Sequence, residues 1–236
     1  MKILGLIPAR GGSKGVPNKN IKVLSSKPLI VYSIAAGLES EALTKLVVST
    51  DSAAIAEVSK QYGAAVPFIR PSALATDSSP SIDTVIHAVE YFQERDVLFD
   101  AVCLLQPTCP FRTKADIQAA IQTFTKSGAD SLISVREVPH EFNPHWVFEA
   151  NEAGLLRIAT GESEIITRRQ ALPKAYHRDG AIYLVKTEVL LEKRSLYGAQ
   201  IAYHLSQNPV HVNIDTMEDW AIAERTFLQL KNGAHE

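Results

Sequence analysis

The stretch LIPARGGSKGVPNKN, Leu6 to Asn20, ends an apolar run and then sets Arg10, Lys14 and Lys19 among glycines and prolines with no carboxylate. Backbone N–H groups of a glycine loop can turn toward an anion, and flanking cations add charge to it, so the stretch reads as a phosphate cradle. The competing reading is a solvated basic turn. Two common nucleotide loops do not fit. Val16 stands where GxxxxGK[ST] needs its second glycine, and Ser13 after Gly11-Gly12 breaks GxGxxG. Gly11 to Gly15 does satisfy GxSxG, the pattern of a nucleophile elbow on Ser13. An elbow needs a helix directly after the serine, and Gly15, Val16-Pro17 and Asn18 argue against one.

A second cluster lies near the other end. In HVNID, Asn213 and Asp215 are two apart on a predicted strand, share one face and could approach one cation. An asparagine oxygen can ligate Mg²⁺ but brings no charge, which leaves Asp215 as the firm carboxylate of the pair. Arg70 ends the predicted strand AVPFIR, where ligands gather in α/β sheets, although an arginine there can equally pair with a nearby carboxylate. Ser81 opens the helical run SIDTVIHAVEYFQER and could simply cap it. Gln106 follows DAVCLL at a strand's carboxyl end, with a donor and an acceptor to offer a polyhydroxylated ligand or a loop backbone. Tyr183 in AIYLV has the competing role of an inward-facing strand aromatic. The histidines, His235 among them, show no metal-ligand spacing.

The scaffold for these residues is legible as alternation. KILGLIP precedes PLIVYSIAAGLES, KLVVST precedes SAAIAEVSKQYG, AVPFIR precedes SIDTVIHAVEYFQER, DAVCLLQ precedes KADIQAAIQTFTKSG, and DSLISVRE follows. Strands alternating with amphipathic helices imply βαβ units, hence an α/β fold with a mostly parallel sheet and helices on both faces. Its ligand belongs at the strands' carboxyl ends. The alternation stops near Val138, and the chain from about 139 to 180 reads as an irregular excursion inserted into a single domain spanning 1–236. AIYLVK and HVNID resume strand character. TMEDWAIAERTFLQL closes with a helix that has Thr216 at its start and Glu218 and Asp219 in its first turn. The last five or six residues read as frayed.

A chain of 236 residues, 46% hydrophobic and 21% charged, suits one large domain or a domain with an inserted subdomain. Net charge is −2, but residues 1–38 hold six cations and no acid, leaving 18 basic against 26 acidic side chains elsewhere. Positive charge that is local suits a small polyanion better than a nucleic acid duplex or a membrane, so neither is expected as a partner. Cys103 and Cys109 form neither a disulfide framework nor a zinc spacing, which points to a reducing cytoplasm. The start MKILGLIPA is too short for a signal h-region, and no run approaches the roughly eighteen apolar residues of a membrane span.

Several separated motifs then occur in one order: IPARGGSKGVPNKNI, VVSTDSAAIAEVSKQYGA, RPSALATDSSPSIDTVIHAVE, LLQPTCPFRT, RRQALPKAYHRDGAIYLV and NIDTMEDW. Together they cover nearly the whole chain. It resembles the acylneuraminate cytidylyltransferases, the CMP-sialic acid synthetase family that includes legionaminic-type CMP-sugar synthetases. The resemblance implies a Rossmann-like domain, a homodimer formed partly through the excursion, CTP as donor and Mg²⁺ as cofactor. It implies that Arg10, Ser13, Lys14 and Lys19 bind the triphosphate, that Asn20, Arg70 and Ser81 contact the nucleoside, and that Gln106, Arg169 and Tyr183 line the acceptor site. Catalysis falls to Arg10, Lys14, Lys19 and Asp215, with Asp215 and Asn213 toward the metal.

Two departures from the family pattern stand out. The family usually has two aspartates where this chain has Asn213 and Asp215, and Trp146 in NPHWVF stands where some sialic acid enzymes carry a lysine. An aromatic there could stack on an N-acyl group or a sugar face, or serve as a core or dimer contact. The expected acceptor is a sialic acid-like nine-carbon 2-keto sugar acid, whose carboxylate suits an arginine. Two alternatives stay open: a sibling enzyme using another nucleotide or a sugar phosphate, and a catalytically silent nucleotide- or sugar-binding module.

Overall fold

The computed structural model describes residues 1–233. In chain order the elements are β1 (Ile3–Pro8), β2 (Val23–Leu24), β3 (Lys27–Pro28), α1 (Leu29–Glu39), β4 (Lys45–Ser49), α2 (Ala53–Gln61), α3 (Ser81–Gln93), β5 (Ala101–Leu105) and α4 (Lys114–Ser127). They continue with β6 (Ser131–Glu137), β7 (Phe148–Ala150), β8 (Leu156–Ile158), β9 (Tyr176–Lys186), α5 (Thr187–Lys193), β10 (Ile201–Leu205) and α6 (Met217–Gly233). The chain divides into two compact units: Met1–Ser134 with the chain from Asp179 onward, and Val135–Arg178.

The central sheet has the order β10-β6-β9-β5-β1-β4. β1 runs parallel to both β4 and β5, and β9 runs antiparallel to β5, with Tyr183 opposite Leu104. Successive side chains of a strand alternate faces. Ile3 and Ile7 of β1 therefore join one core with Ile30 and Ile34 of α1, Ile55 of α2, and Ile117 and Phe124 of α4. Leu4 and Leu6 join the other, against Val85, Val89 and Phe92 of α3 and Leu190 of α5. The expected α/β architecture, a mostly parallel sheet with helices on both faces, is the one observed. Full burial of each such side chain is worth about 1.5–3 kcal/mol. β1 and β5, buried on both faces, are thus firm supports for the loops that leave their carboxyl ends.

Local signals place the helix ends. Thr113 and Asp116 close a reciprocal capping box on α4, and Gly128 ends that helix at φ 65°. Thr216 and Asp219 exchange the same bonds at the start of α6, Asp219 N–H to Thr216 Oγ1 at 3.2 Å and Thr216 N–H to Asp219 Oδ2 at 2.8 Å. α6 runs through Lys231 and Asn232 to Gly233, so the part of the tail read as frayed that includes His235 lies outside the described residues.

Two predicted strands are not strands. AVPFIR makes only an isolated bridge between Ala65 and Val47, because Pro67 removes a ladder donor. HVNID is irregular: Ile214 N–H bonds to Thr108 O at 2.9 Å in a loop contact, and Asn213 and Asp215 bond to each other through their side chains. In the second unit, β7 and β8 form a hairpin whose turn Asn151 closes by accepting from Ala153 N–H at 3.0 Å and Leu155 N–H at 2.9 Å.

Candidate active site

Val16 and Ile214, far apart in sequence, are both fully buried in a cluster with Trp220 and Ala223 of α6. Their packing draws the N-terminal loop onto the segment that carries Asp215. A Cβ built at Gly15 would stand 2.0 Å from the Asp215 carbonyl oxygen, so only glycine admits the approach. Lys19 bridges the same junction, its Nζ donating to Ile214 O at 2.7 Å and to Asp215 Oδ1 at 3.1 Å.

These residues border a cleft of about 370 Å³ at the carboxyl ends of β1 and β5. Arg10, Ser13, Lys14, Lys19 and Asn20 line it from the loop, Arg70 and Ser81 from the side of α3, Gln106 from the end of β5, and Asp215 from the chain before α6. Ser81 is not the cap of α3. Pro80 occupies that position and makes no side-chain cap bond, so the serine hydroxyl is left to the cleft. Ligands in open α/β sheets bind at this edge.

The charges are arranged around one further carboxylate that the sequence reading did not single out. Arg10 Nη2 lies 2.6 Å from Asp77 Oδ1, and Lys14 pairs with the other oxygen of the same group. The Lys14 ammonium, helped by the Arg10 guanidinium, holds the Asp77 carboxyl below its usual range. Asp77 was the one acid in the polar stretch PSALATDSSPS, and that isolation is the signal that could have found it.

Arg70 is buried, its Nη1 donating to Thr84 Oγ1 at 2.9 Å and its Nη2 3.9 Å from Asp51 Oδ1. Burial pushes the guanidinium pKa down, Asp51 pulls it back up, and Arg10 lowers it again. Arg70 Nε and Nη2 and Asn20 Oδ1 are buried without a hydrogen-bond partner among the described residues, while Asn20 Nδ2 donates to Arg10 O at 3.0 Å. Buried polar groups are normally paired. A ligand that accepts from Arg70 and donates to Asn20 would relieve both.

Asn213 donates through Nδ2 to Asp215 Oδ2 at 2.6 Å, and its Oδ1 faces Cys109 Sγ at 3.6 Å. The two side chains do share a side, as the two-residue spacing predicts, but the amide presents nitrogen rather than oxygen to the carboxylate. Joint ligation of one cation requires that amide to turn over. Among the described residues no group of three or more His, Cys, Asp or Glu side chains is placed to hold a metal. The exposed Asp215 carboxylate at this cleft still fits Mg²⁺, which is commonly held by one or two carboxylates together with substrate phosphates and water.

Tyr183 is buried in the core with Val85 and Leu104 and is not among the residues lining this cleft. Trp146 and Arg169 belong to the second unit. The Trp146 indole donates to Ile166 O at 2.6 Å, and Arg169 is exposed beside a hollow of about 450 Å³ that His140 and Lys174 also line. Cys103 and Cys109 are free thiols, pushed by burial up to about 12 and about 11.

A family model described as Cytidylyltransferase matches residues 4–229. The chain is 40% identical over 229 residues to CMP-N,N'-diacetyllegionaminic acid synthase of Legionella pneumophila, covering 95% of this chain and 96% of that one. It is 34% identical over 224 residues to pseudaminic acid cytidylyltransferase of Campylobacter jejuni, covering 95% of each. Among solved structures, a CMP:2-keto-3-deoxy-manno-octonic acid synthetase complexed with CTP superposes with a TM-score of 0.71 at 16% identity, covering 97% of this chain and 99% of that one. At that identity the likeness is one of fold. The resemblance read from the motifs is borne out at the level of the family.

Proposed function

The chain belongs to the cytidylyltransferase family, and from that premise we propose that its cleft binds CTP and joins the CMP moiety to a sialic acid-like nine-carbon 2-keto sugar acid, releasing pyrophosphate. The observation that carries the reading is the junction of Gly15 and Lys19 with Asp215, which gathers a cation-rich loop and a carboxylate at one cleft.

The sugar hydroxyl attacks the α-phosphorus, the new O–P bond forms as the bond to the β-phosphate breaks, the hydroxyl proton passes to a base or solvent, and negative charge gathers on the departing pyrophosphate. Arg10 offers a planar fork of donors to the phosphates, and Lys14 and Lys19 act as point charges. Ser13 and the glycine backbone complete the cradle, while Asn20, Arg70 and Ser81 serve the nucleoside. Asp215 and the nucleotide's phosphates would hold Mg²⁺, which supplies charge neutralisation on the phosphates. The acceptor-sugar roles of Gln106, Arg169 and Trp146 rest on their chemistry: mixed hydrogen bonding for hydroxyls, a cation for a carboxylate and a flat face for an N-acyl group.

The protein acts as a homodimer in this reading. Phe142, Leu155, Leu156 and Ile165 of the second unit are exposed apolar side chains that a second copy would cover. A cytoplasmic site of action is part of the proposal; among the described residues no helix is long and apolar enough to cross a membrane.

Pyrophosphate release with a panel of nucleotides and sugars tests the assignment. Release with CTP and diacetyllegionaminic, pseudaminic or N-acetylneuraminic acid is expected. Release only with another nucleotide or with a sugar phosphate would point to a sibling activity, and binding without turnover would point to a silent module.

A further inference from the structure

The residue just beyond the tip of β4 touches both halves of the nucleotide cleft without lining it. Asp51 Oδ1 accepts from Gly11 N–H at 2.9 Å and stands 3.9 Å from Arg70 Nη2. Gly11 opens the phosphate loop between Arg10 and Ser13, and Arg70 is the buried cation on the cleft's other flank. The same tip anchors both neighbours through the backbone: Ala9 N–H bonds to Ser49 O at 2.9 Å, and Arg70 N–H bonds to Thr50 O at 2.8 Å. Gly11 sits so close to the tip that a Cβ there would meet Ser52 Cβ at 3.2 Å.

We propose that Asp51 is a positioning residue for nucleotide binding, a carboxylate that fixes the start of the phosphate loop and the orientation of the Arg70 guanidinium at the same time. The inference rests on the CTP-binding reading of the cleft. Arg70 makes one side-chain hydrogen bond, to Thr84, so a short neutral partner holds one arm of the fork and the Asp51 charge biases the other. With one arm hydrogen-bonded and the other drawn by a charge, the guanidinium is partly ordered before a ligand arrives, whereas without Asp51 more of that ordering falls on the binding step. The Gly11 bond acts on the loop in the same sense. Its N–H, tied to a carboxylate rooted in β4, sets the direction in which the following Gly12 and Ser13 amides leave the sheet.

Two substitutions separate the arms. Asp51→Asn keeps an oxygen for Gly11 and removes the charge facing Arg70; Asp51→Ala removes both. For CTP, KM and the calorimetric Kd should rise about tenfold in Asp51→Asn and about a hundredfold in Asp51→Ala, with kcat and the KM for the sugar acid changed by less than about threefold. In an Arg70→Ala background, Asp51→Asn should add less than about twofold, because the residue it acts through is gone. A purely structural role would lower the melting temperature and shift both substrates' KM together, without dependence on Arg70. Those outcomes, or an unchanged Kd for CTP in both variants, would overturn the proposal. The wild-type protein is the reference: if it neither binds CTP nor releases pyrophosphate from it, the reading of the cleft fails and the proposal with it. Normal wild-type turnover with unaffected Asp51 variants would sink the positioning role alone.

Discussion

Replacing Gly15 with alanine would set a methyl carbon 2.0 Å from the Asp215 carbonyl oxygen and 3.2 Å from its carbonyl carbon. Ordinary contact begins at 3.4 Å, and both clashing atoms are backbone, so no flexible side chain can yield. The loop or residue 215 must retreat by roughly 1 Å or more. Overpacking of this kind costs about 1–3 kcal/mol of stability. A misplacement of about 1 Å in groups that position substrate costs about 100-fold in rate, or about 2.7 kcal/mol of transition-state stabilisation. The assay is pyrophosphate release at saturating diacetyllegionaminic acid with CTP varied, after circular dichroism has shown the variant folded. We expect kcat/KM for CTP to fall about 100-fold. A Gly15→Ala protein whose kcat/KM for CTP stays within about threefold of wild type would refute the claim that the Gly15–Asp215 approach builds the site.

Other perturbations follow from the same contacts. Asp77 holds Arg10 and Lys14 where a triphosphate would compete for them, so Asp77→Asn should lower the Kd for CTP at low salt; a higher Kd would mean that the carboxylate supports the loop instead. Asn213→Asp should tighten Mg²⁺ or Mn²⁺ binding to the nucleotide-free protein, measured by calorimetry, because a second carboxylate replaces an amide that now donates to Asp215; equal or weaker binding contradicts this. Burial would raise the Asp116 carboxyl, but the His204 ring 3.5 Å away and the hydrogen bonds from Thr113 outweigh it and bring it to about 2 from an ordinary 3.8. Its stabilisation is complete above about pH 4 and is lost as the pH falls through about 2, worth about 1–2 kcal/mol after solvent screening. Urea unfolding between those pH values should show a flatter pH dependence in Asp116→Asn than in wild type, and parallel curves would exclude the effect.

Much of the site was legible because its chemistry is concentrated. The run from Arg10 to Asn20 carries its charge and glycines in one short stretch, and each residue singled out there lines the cleft. Asp215 was found from its place beside a possible ligand, although the strand expected around it is absent: HVNID has strand-like composition, but its polar side chains bond to each other and its backbone serves a loop. Ser81 shows how composition can mislead in the other direction. A serine ahead of an amphipathic run reads as a cap, yet Pro80 takes that position with its fixed φ, and the hydroxyl turns to the cleft. Asp51 and Asp77 escaped the sequence reading because the loop partner of Asp51, Gly11, lies 40 positions away, and the partners of Asp77, Arg10 and Lys14, lie on the far side of five secondary-structure elements, β2 to α2. Tyr183 was placed by register, opposite Leu104, which commits it to the core.

The central claim is that the loop from Arg10 to Lys19 and the Asp215 carboxylate grip one nucleoside triphosphate. A crystal structure of the protein with CTP and Mg²⁺ tests it directly. The account predicts phosphate oxygens within hydrogen-bonding distance of Arg10, Ser13, Lys14 and Lys19, Asp77 released from Arg10 and Lys14, and a cation shared between Asp215 and the phosphates. Nucleotide bound elsewhere, with the Asp77 pairs intact and Asp215 contacting only Lys19 and Asn213, would contradict it.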